Sequence, residues 1–342
     1  MVADGSVGSM RDGNPVSRGL GAVGRSRELT LTAVIVVLSA FVAIQAPNFL
    51  SLSNLSLVTT LAAIIAIAAV GESLVIITRN VDLSIESVIG LVAFAVADVL
   101  RQKLLPVPAA WLFGIGLGLV LGMGTGLLVT VLRVPSIVAG LGTLSIYRGF
   151  VFIVAGGKEV NLIDLPPGYS DPASQSLLGI PYFVIVAIIV VVIVAAFLRF
   201  APVGRQLYAV GSNAEAAAIL GIRSQLVVFG AFALCGMLGG LAGILWGIQF
   251  GTIYATSASG LALQIIAAAV VGGVAIAGGS GTVVGAALGA LFLALINNAL
   301  LLLLLPQELL QAIYGAVILV AVGADALLQR RERRAAAERV LR

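Results

Sequence analysis

The side chains able to do chemistry are few in this chain: 15 acids, 19 lysines and arginines, one cysteine and no histidine among 342 residues. Without histidine the commonest general base and the commonest transition-metal ligand are both missing. No GxxxxGK[ST] occurs, and the two lysines, Lys103 and Lys158, fit no phosphate-cradling loop. The glycines of GGSGTVVG, residues 278–285, join two apolar runs and follow no strand, so they do not make a dinucleotide fingerprint. Neither a catalytic site, a metal, a cofactor nor ATP hydrolysis by the chain itself is expected.

The distinctive polar feature is an island from Gly204 to Ile222, GRQLYAVGSNAEAAAILGI, set between two long apolar segments. Ser212 followed three residues later by Glu215 predicts a capping box, and Gly221 supplies a stop. The helix between them, Asn213 to Leu220, has only about two turns, against the roughly 12 to 15 residues needed for marginal stability in water. Such a helix must be held by something. An Ala-rich, sharply ended helix on one side of a hydrophobic protein offers a knob to a partner's groove and points to a multi-subunit machine.

The elements that carry this island follow from composition. A mean hydropathy of +1.16, 60% apolar residues and 10% charged ones leave too little polar surface for a soluble domain of this size, so the bilayer is the solvent. Apolar runs at 29–46, 57–77, 84–100, 109–132, 137–155, 181–198, 226–248, 259–277, 282–304 and 309–327 predict ten spans in an all-α integral membrane protein. With the N-terminus inside, 15 of the 19 basic residues stay on the cytoplasmic side, which places both termini there. The same count puts the short helix of the island inside and the loop 156–180 outside. The basic balance is therefore a topology signal, with no nucleic-acid partner implied. Residues 1–28 read as a disordered cytoplasmic tail, 29–328 as the transmembrane body, and 329–342 as a basic tail near anionic lipid. The lone Cys235 excludes an intrachain disulfide.

Within the spans, glycines recur every fourth residue: Gly114, Gly118, Gly122 and Gly126; Gly239, Gly243 and Gly247; Gly281, Gly285 and Gly289. These are stripes for close helix packing. The break Thr78-Arg79-Asn80-Val81-Asp82-Leu83-Ser84 puts polar groups between apolar runs, where irregular backbone needs protein or water around it. Asp82 or Ser84 would start the next helix beside a solvated vestibule, or Asp82 would be an N-cap paired with Arg79. Glu72, Glu86, Asp98 and Arg148 are ionisable groups in or near spans. Asp98 reads as interfacial beside Arg101, and Glu72 with Arg148 as a structural ion pair. Gln264, Asn297 and Asn298 either bridge helices or touch a polar solute.

Five stations together resemble the permease subunits of bacterial ABC sugar importers of the ribose, xylose, rhamnose and autoinducer-2 type, more distantly related to branched-chain amino-acid permeases. They are NFLSLSNL (48–55), ITRNVDLSIESVIGL (77–91), VPSIVAGLGTLSIYRGF (134–150), the island 204–222, and IIAAAVVGGVAIAGGSGTVVGAALGALFLALINNAL (265–300). The resemblance covers about residues 45–327. It implies an ABC permease bundle in the bacterial inner membrane and a coupling helix at about 212–221 that docks on a cytoplasmic ATPase. Asn213, Glu215, Ala216, Ala217 and Gly221 would make that contact, with Gly204 and Arg205 leading in. It also implies cytoplasmic ATPase subunits, a second permease copy, identical or paralogous, and a periplasmic or lipid-anchored sugar-binding protein. Asn80, Asp82, Ser84, Thr143, Arg148, Gln264 and Asn297 are the candidates for the translocation path, chosen by polarity and depth. One departure stands out: relatives usually carry a small residue where this chain has Glu86. An ion-gradient-driven transporter, a channel and an amino-acid permease are the alternative readings.

Overall fold

The computed structural model describes residues 15–320 and residue 323. Its helices are α1 (Pro15–Gln45), α2 (Leu52–Ile77), α3 (Ile85–Arg101), α4 (Val107–Thr130), α5 (Ser136–Ala155), α6 (Pro167–Ser174), α7 (Tyr182–Phe200), α8 (Pro202–Ser212), α9 (Ala214–Ile219), α10 (Ser224–Phe250), α11 (Leu261–Val271) and α12 (Val283–Leu302). The last is α13 (Leu309–Val320). Four two-residue strands, β1 (Val160–Asn161), β2 (Ser176–Leu177), β3 (Ile180–Pro181) and β4 (Thr252–Ile253), pair antiparallel as β1 with β4 and β2 with β3. Proline fixes several starts: Pro106, Pro135, Pro166 and Pro181 hold the N-cap positions of α4 to α7, and Pro202 opens α8.

Among the described residues each of the ten apolar runs contains helix, and seven helices are long and apolar enough to cross a membrane. The other three expected spans are shorter over their described residues. α3 has 17 residues because the chain spends 78–84 turning back. The run 259–277 yields only the 11-residue α11, since the glycine-rich segments on either side end it. α13 is short over its described part. Of the segment 1–28 expected to be a disordered tail, residues 15–28 form the first turns of α1. Residues 1–14 and the basic segment 329–342 lie outside the described residues.

The bundle is built around α2, 94% of whose most apolar window is buried. The glycine stripes decide who its neighbours can be. Gly118 and Gly122 of α4 lie against Gly236 and Gly240 of α10, backbone to backbone, and this is the most extensive helix pair. The stripe Gly239, Gly243 and Gly247 belongs to another face of α10, turned to Ile85, Ile89 and Val92 of α3 and to Tyr169. Gly285 and Gly289 bring α12 onto Gly272 and Ala268 of α11. Small residues thus let backbones approach where lipid offers no hydrophobic drive between helices.

Two ends result. One is basic, with Arg79, Arg133, Arg199, Arg205 and Arg223, and carries α8, α9 and the turn 272–282. The other carries the hairpin pairs, with β1 joining the loop before α6 to the loop after α10. Tyr169 of α6 is buried there and donates to the Ile244 carbonyl at 3.3 Å.

Candidate functional site

The island folds as two helices joined at a corner. α8 lays Gly204, Leu207, Val210 and Gly211 on the body of the protein and turns Pro202, Val203, Arg205 and Ser212 outward. Gly204 is needed because α7 passes directly beneath it at Phe197 and Leu198. Arg205 lies on the exposed side and donates to the Phe200 carbonyl at 3.1 Å. The expected capping box is not formed, because Ser212 is still the last residue of α8. Asn213 takes the cap of α9 instead, its Oδ1 accepting from the Ala216 amide at 3.0 Å. Gly221, at φ 79°, closes α9. Its amide reaches Ala218 O, and the Ile222 amide reaches Ala217 O, both at 3.0 Å, which is a Schellman ending.

α9 presents Asn213, Glu215 and Ala216 to the surface, while Ala217 is buried against the chain's own body and serves as the anchor. Ile219 and Leu220 are the exposed apolar tip, at 87% and 79% exposure. Sequence reasoning passed over this pair, although two large apolar residues just before Gly221 in an otherwise polar stretch were the signal.

The α8–α9 unit is joined to the break after α2. Arg79, held at φ 66°, donates to the Ser212 carbonyl at 2.9 Å. The Gly279 amide donates to Ile77 O at 2.9 Å, and Gly211 packs directly on both groups. Tyr208 donates to the Gly281 carbonyl at 3.0 Å, and burial pushes its phenol up to about 12, so it remains a donor at any working pH. These bonds tie the α8–α9 corner to the end of α2 and to the glycine turn between α11 and α12. Arg79 does not pair with Asp82, as the sequence had allowed; the reversal at 78–80 points it toward α8.

Beyond Asn80, whose amide folds onto Thr78, the chain runs back along α2. The Asp82 amide donates to Glu72 Oε1 at 2.9 Å, and Asp82 Oδ1 accepts from the Ser84 amide at 2.9 Å and hydroxyl at 2.6 Å. Ser84 meets Thr125, and Thr125 meets Thr143 and Tyr147, at 3.2 to 3.3 Å. Asp82, Ser84 and Thr143 are brought together, but inside the bundle: each is 3% exposed or less. They set the shape of the break; they do not line an open vestibule. Glu72 belongs to this network, with Cys235 3.6 Å from its Oε2, so the expected Glu72–Arg148 pair is corrected.

Arg148 instead faces Glu86. Its Nη1 donates to the carbonyls of Ser257 at 2.7 Å and Ala255 at 3.2 Å, and Nη2 stands 3.7 Å from Glu86 Oε1. Glu86 Oε2 accepts from the amides of Gly260 at 2.9 Å and Ala262 at 3.1 Å. Gly260, left-handed at φ 85°, offers α11 no side-chain cap, and the carboxylate of α3 supplies the missing acceptor at the positive end of the helix. Gln264 lies one turn further along α11, buried, and Asn297 lies on α12, partly exposed; neither joins the other candidates. Asn298, next to it, makes a reciprocal amide pair with Asn54 at 2.7 and 3.0 Å and so bridges α12 to α2. Asp98 pairs with Arg101 at 2.5 Å, as its position predicted.

The family model described as branched-chain amino acid transport system / permease component matches residues 54–322. The chain belongs to this permease family. Among relatives, the autoinducer 2 import system permease protein LsrC of Salmonella typhi is 37% identical over 304 residues, covering 89% of this chain and 87% of the relative. The proteins of that name from Yersinia pseudotuberculosis and Escherichia coli are each 36% identical, over 304 and 317 residues, covering 89% and 93% of this chain and 86% and 90% of theirs. No solved structure matches the chain significantly. The resemblance to ABC sugar-importer permeases drawn from the five stations thus holds, and the permease is a multi-pass membrane protein.

Proposed function

We propose that this permease forms the membrane pathway of an ATP-driven importer for a small neutral sugar of the autoinducer-2 kind, and hydrolyses nothing itself. The observation that carries this reading is the 36–37% identity to LsrC proteins over about nine tenths of the chain. It works in a bacterial inner membrane beside a second permease copy, identical or paralogous, with two cytoplasmic ATPase subunits and a periplasmic or lipid-anchored sugar-binding protein. The basic end faces the cytoplasm, in keeping with the positive-inside bias.

In this reading α9 is the coupling helix. Asn213, Glu215, Ala216 and the tip Ile219–Leu220 meet the ATPase, with Arg205 beside them, while Gly204, Ala217 and Gly221 hold the helix in place. Closure of the ATPase pair pushes α9, and the Arg79–Ser212 and Gly279–Ile77 bonds carry the push to α2 and α11. Asn80, Arg148 and Asn297, all partly exposed, are the side chains left for solute contact, with Gln264 beneath the start of α11. An amino-acid substrate fits less well, because its carboxylate would compete with Glu86 for the α11 amides and for Arg148.

The test is uptake into proteoliposomes holding the permease, its ATPase and its binding protein, with a panel of labelled autoinducer-2, rhamnose, ribose and leucine. Sugar accumulation supports the reading; leucine accumulation without sugar accumulation overturns the substrate class.

A further inference from the structure

The Glu86–Arg148 pair holds the loop beside a cavity, and the inference drawn from it rests on the importer reading above. At the hairpin end a cavity of about 580 Å³ is lined by Arg101, Phe152, Lys158, Glu159, Tyr254 and Ala255, among others. Its lining includes residues 254–256 of the loop after β4, and Ala255 is both a lining residue and a carbonyl acceptor for Arg148. Phe152 and Arg148 are four residues apart on α5 and share a face, so the guanidinium lies about one turn below the cavity wall. Beneath the loop begins α11, whose 11 residues span about 16 Å, roughly half of a bilayer core.

Two side chains from two other helices hold this segment from below. Arg148 of α5 grips the carbonyls of Ala255 and Ser257, and Glu86 of α3 grips the amides of Gly260 and Ala262. Gly90 lets α3 approach the loop, since a β-carbon there would stand 2.8 Å from Ser257 O and 3.1 Å from Arg148 Nη1. The two charged groups meet only loosely. At 3.7 Å the pair is an ion pair without a hydrogen bond, and Arg148 Nη2 is a buried donor with no hydrogen-bond partner. The loop itself is short and bent, with Gly251, Ala258 and Gly260 all at positive φ. A tightly bonded pair would fix it, whereas this one grips the backbone firmly and the opposite charge weakly.

We propose that Glu86 and Arg148 are positioning residues for translocation: they latch the 255–260 loop and the start of α11 as the closed floor of the outer cavity, and solute passes when the two separate. The loss of either partner leaves the other charge partly buried and uncompensated, which favours the open arrangement.

The assembled importer in proteoliposomes tests this with a cysteine at Gln264, a buried site where the smaller side chain fits. Native Cys235 is buried and serves as the unreactive background. A membrane-impermeant thiol reagent is added from outside, and labelling of Gln264→Cys is timed in the parent, in Glu86→Gln, in Glu86→Ala and in Arg148→Lys. Labelling should be slow in the parent, about tenfold faster in Glu86→Gln, faster again in Glu86→Ala, which also loses the amide acceptor, and near the parent rate in Arg148→Lys. Sugar moved per ATP hydrolysed should fall in the same order while the amount of assembled complex does not. Equal labelling in the parent and both Glu86 variants overturns the latch. ATP-dependent sugar uptake is measured on companion vesicles holding the importer with native Gln264: its failure refutes the importer reading, and its success with unchanged labelling of the cysteine variants refutes the latch alone.

Discussion

A β-carbon at Gly211 would fall on the Ile77 carbonyl and within 2.6 Å of the Gly279 amide, so Gly211→Ala must push α8 away from the end of α2. Overpacking of this kind costs about 1–3 kcal/mol. The purified permease should therefore melt earlier with Gly211→Ala and unchanged with Gly116→Ala, where a β-carbon meets nothing within 4 Å. Glu72 offers the complementary case. Glu72→Ala leaves the buried Asp82 amide without an acceptor, a loss of about 1–3 kcal/mol, whereas Glu72→Gln keeps the acceptor and most of the stability in the same melting assay. That these residues matter was legible in the sequence, because ionisable groups in apolar runs stand out. Their partners were not. Depth along a helix can be counted from the chain, but the face each helix turns to its neighbours depends on packing, and so Arg148 was assigned to Glu72 when the fold gives it Glu86.

α9 has six residues and owes its existence to its ends and to Ala217, not to its length. Asn213→Ala removes the cap and should destabilise the helix by about 1 kcal/mol, with Asn213→Asp neutral. Hydrogen exchange at the amides of 214–222 reads this directly: faster exchange confined to α9 is expected for the alanine variant, and unchanged exchange would show that the cap is idle. The sequence placed this helix correctly and shifted its cap by one residue, since both Ser212 and Asn213 are good caps and only the reach of α8 decides between them. The glycine stripes were legible in the same partial way. Spacing identified the faces of α4 and α12 but not their partners: α4 meets Gly236 and Gly240, while the stripe Gly239, Gly243 and Gly247 turns to α3 and Tyr169. Gly236→Ala should accordingly separate α4 from α10 and lower the melting temperature, while Gly230→Ala, with open space around it, should not.

Taken whole, the molecule joins a short external helix at its basic end to a broken helix pair in its interior, through Arg79, Ile77, Gly211 and Gly279. Composition alone announced a membrane bundle, and the punctuating prolines and glycines announced most helix ends. What hydropathy could not show is that α3 and α11 start inside the bundle, because a run of apolar residues looks alike whether it crosses the bilayer or turns back within protein. The most direct test is to compare sugar uptake by proteoliposomes containing the permease alone with uptake by those containing the permease, ATPase and binding protein, each with and without internal ATP. Accumulation only in the complete, ATP-loaded vesicles, abolished by Glu215→Arg in an otherwise assembled complex, is the predicted result; accumulation by the permease alone down an imposed ion gradient would contradict the account.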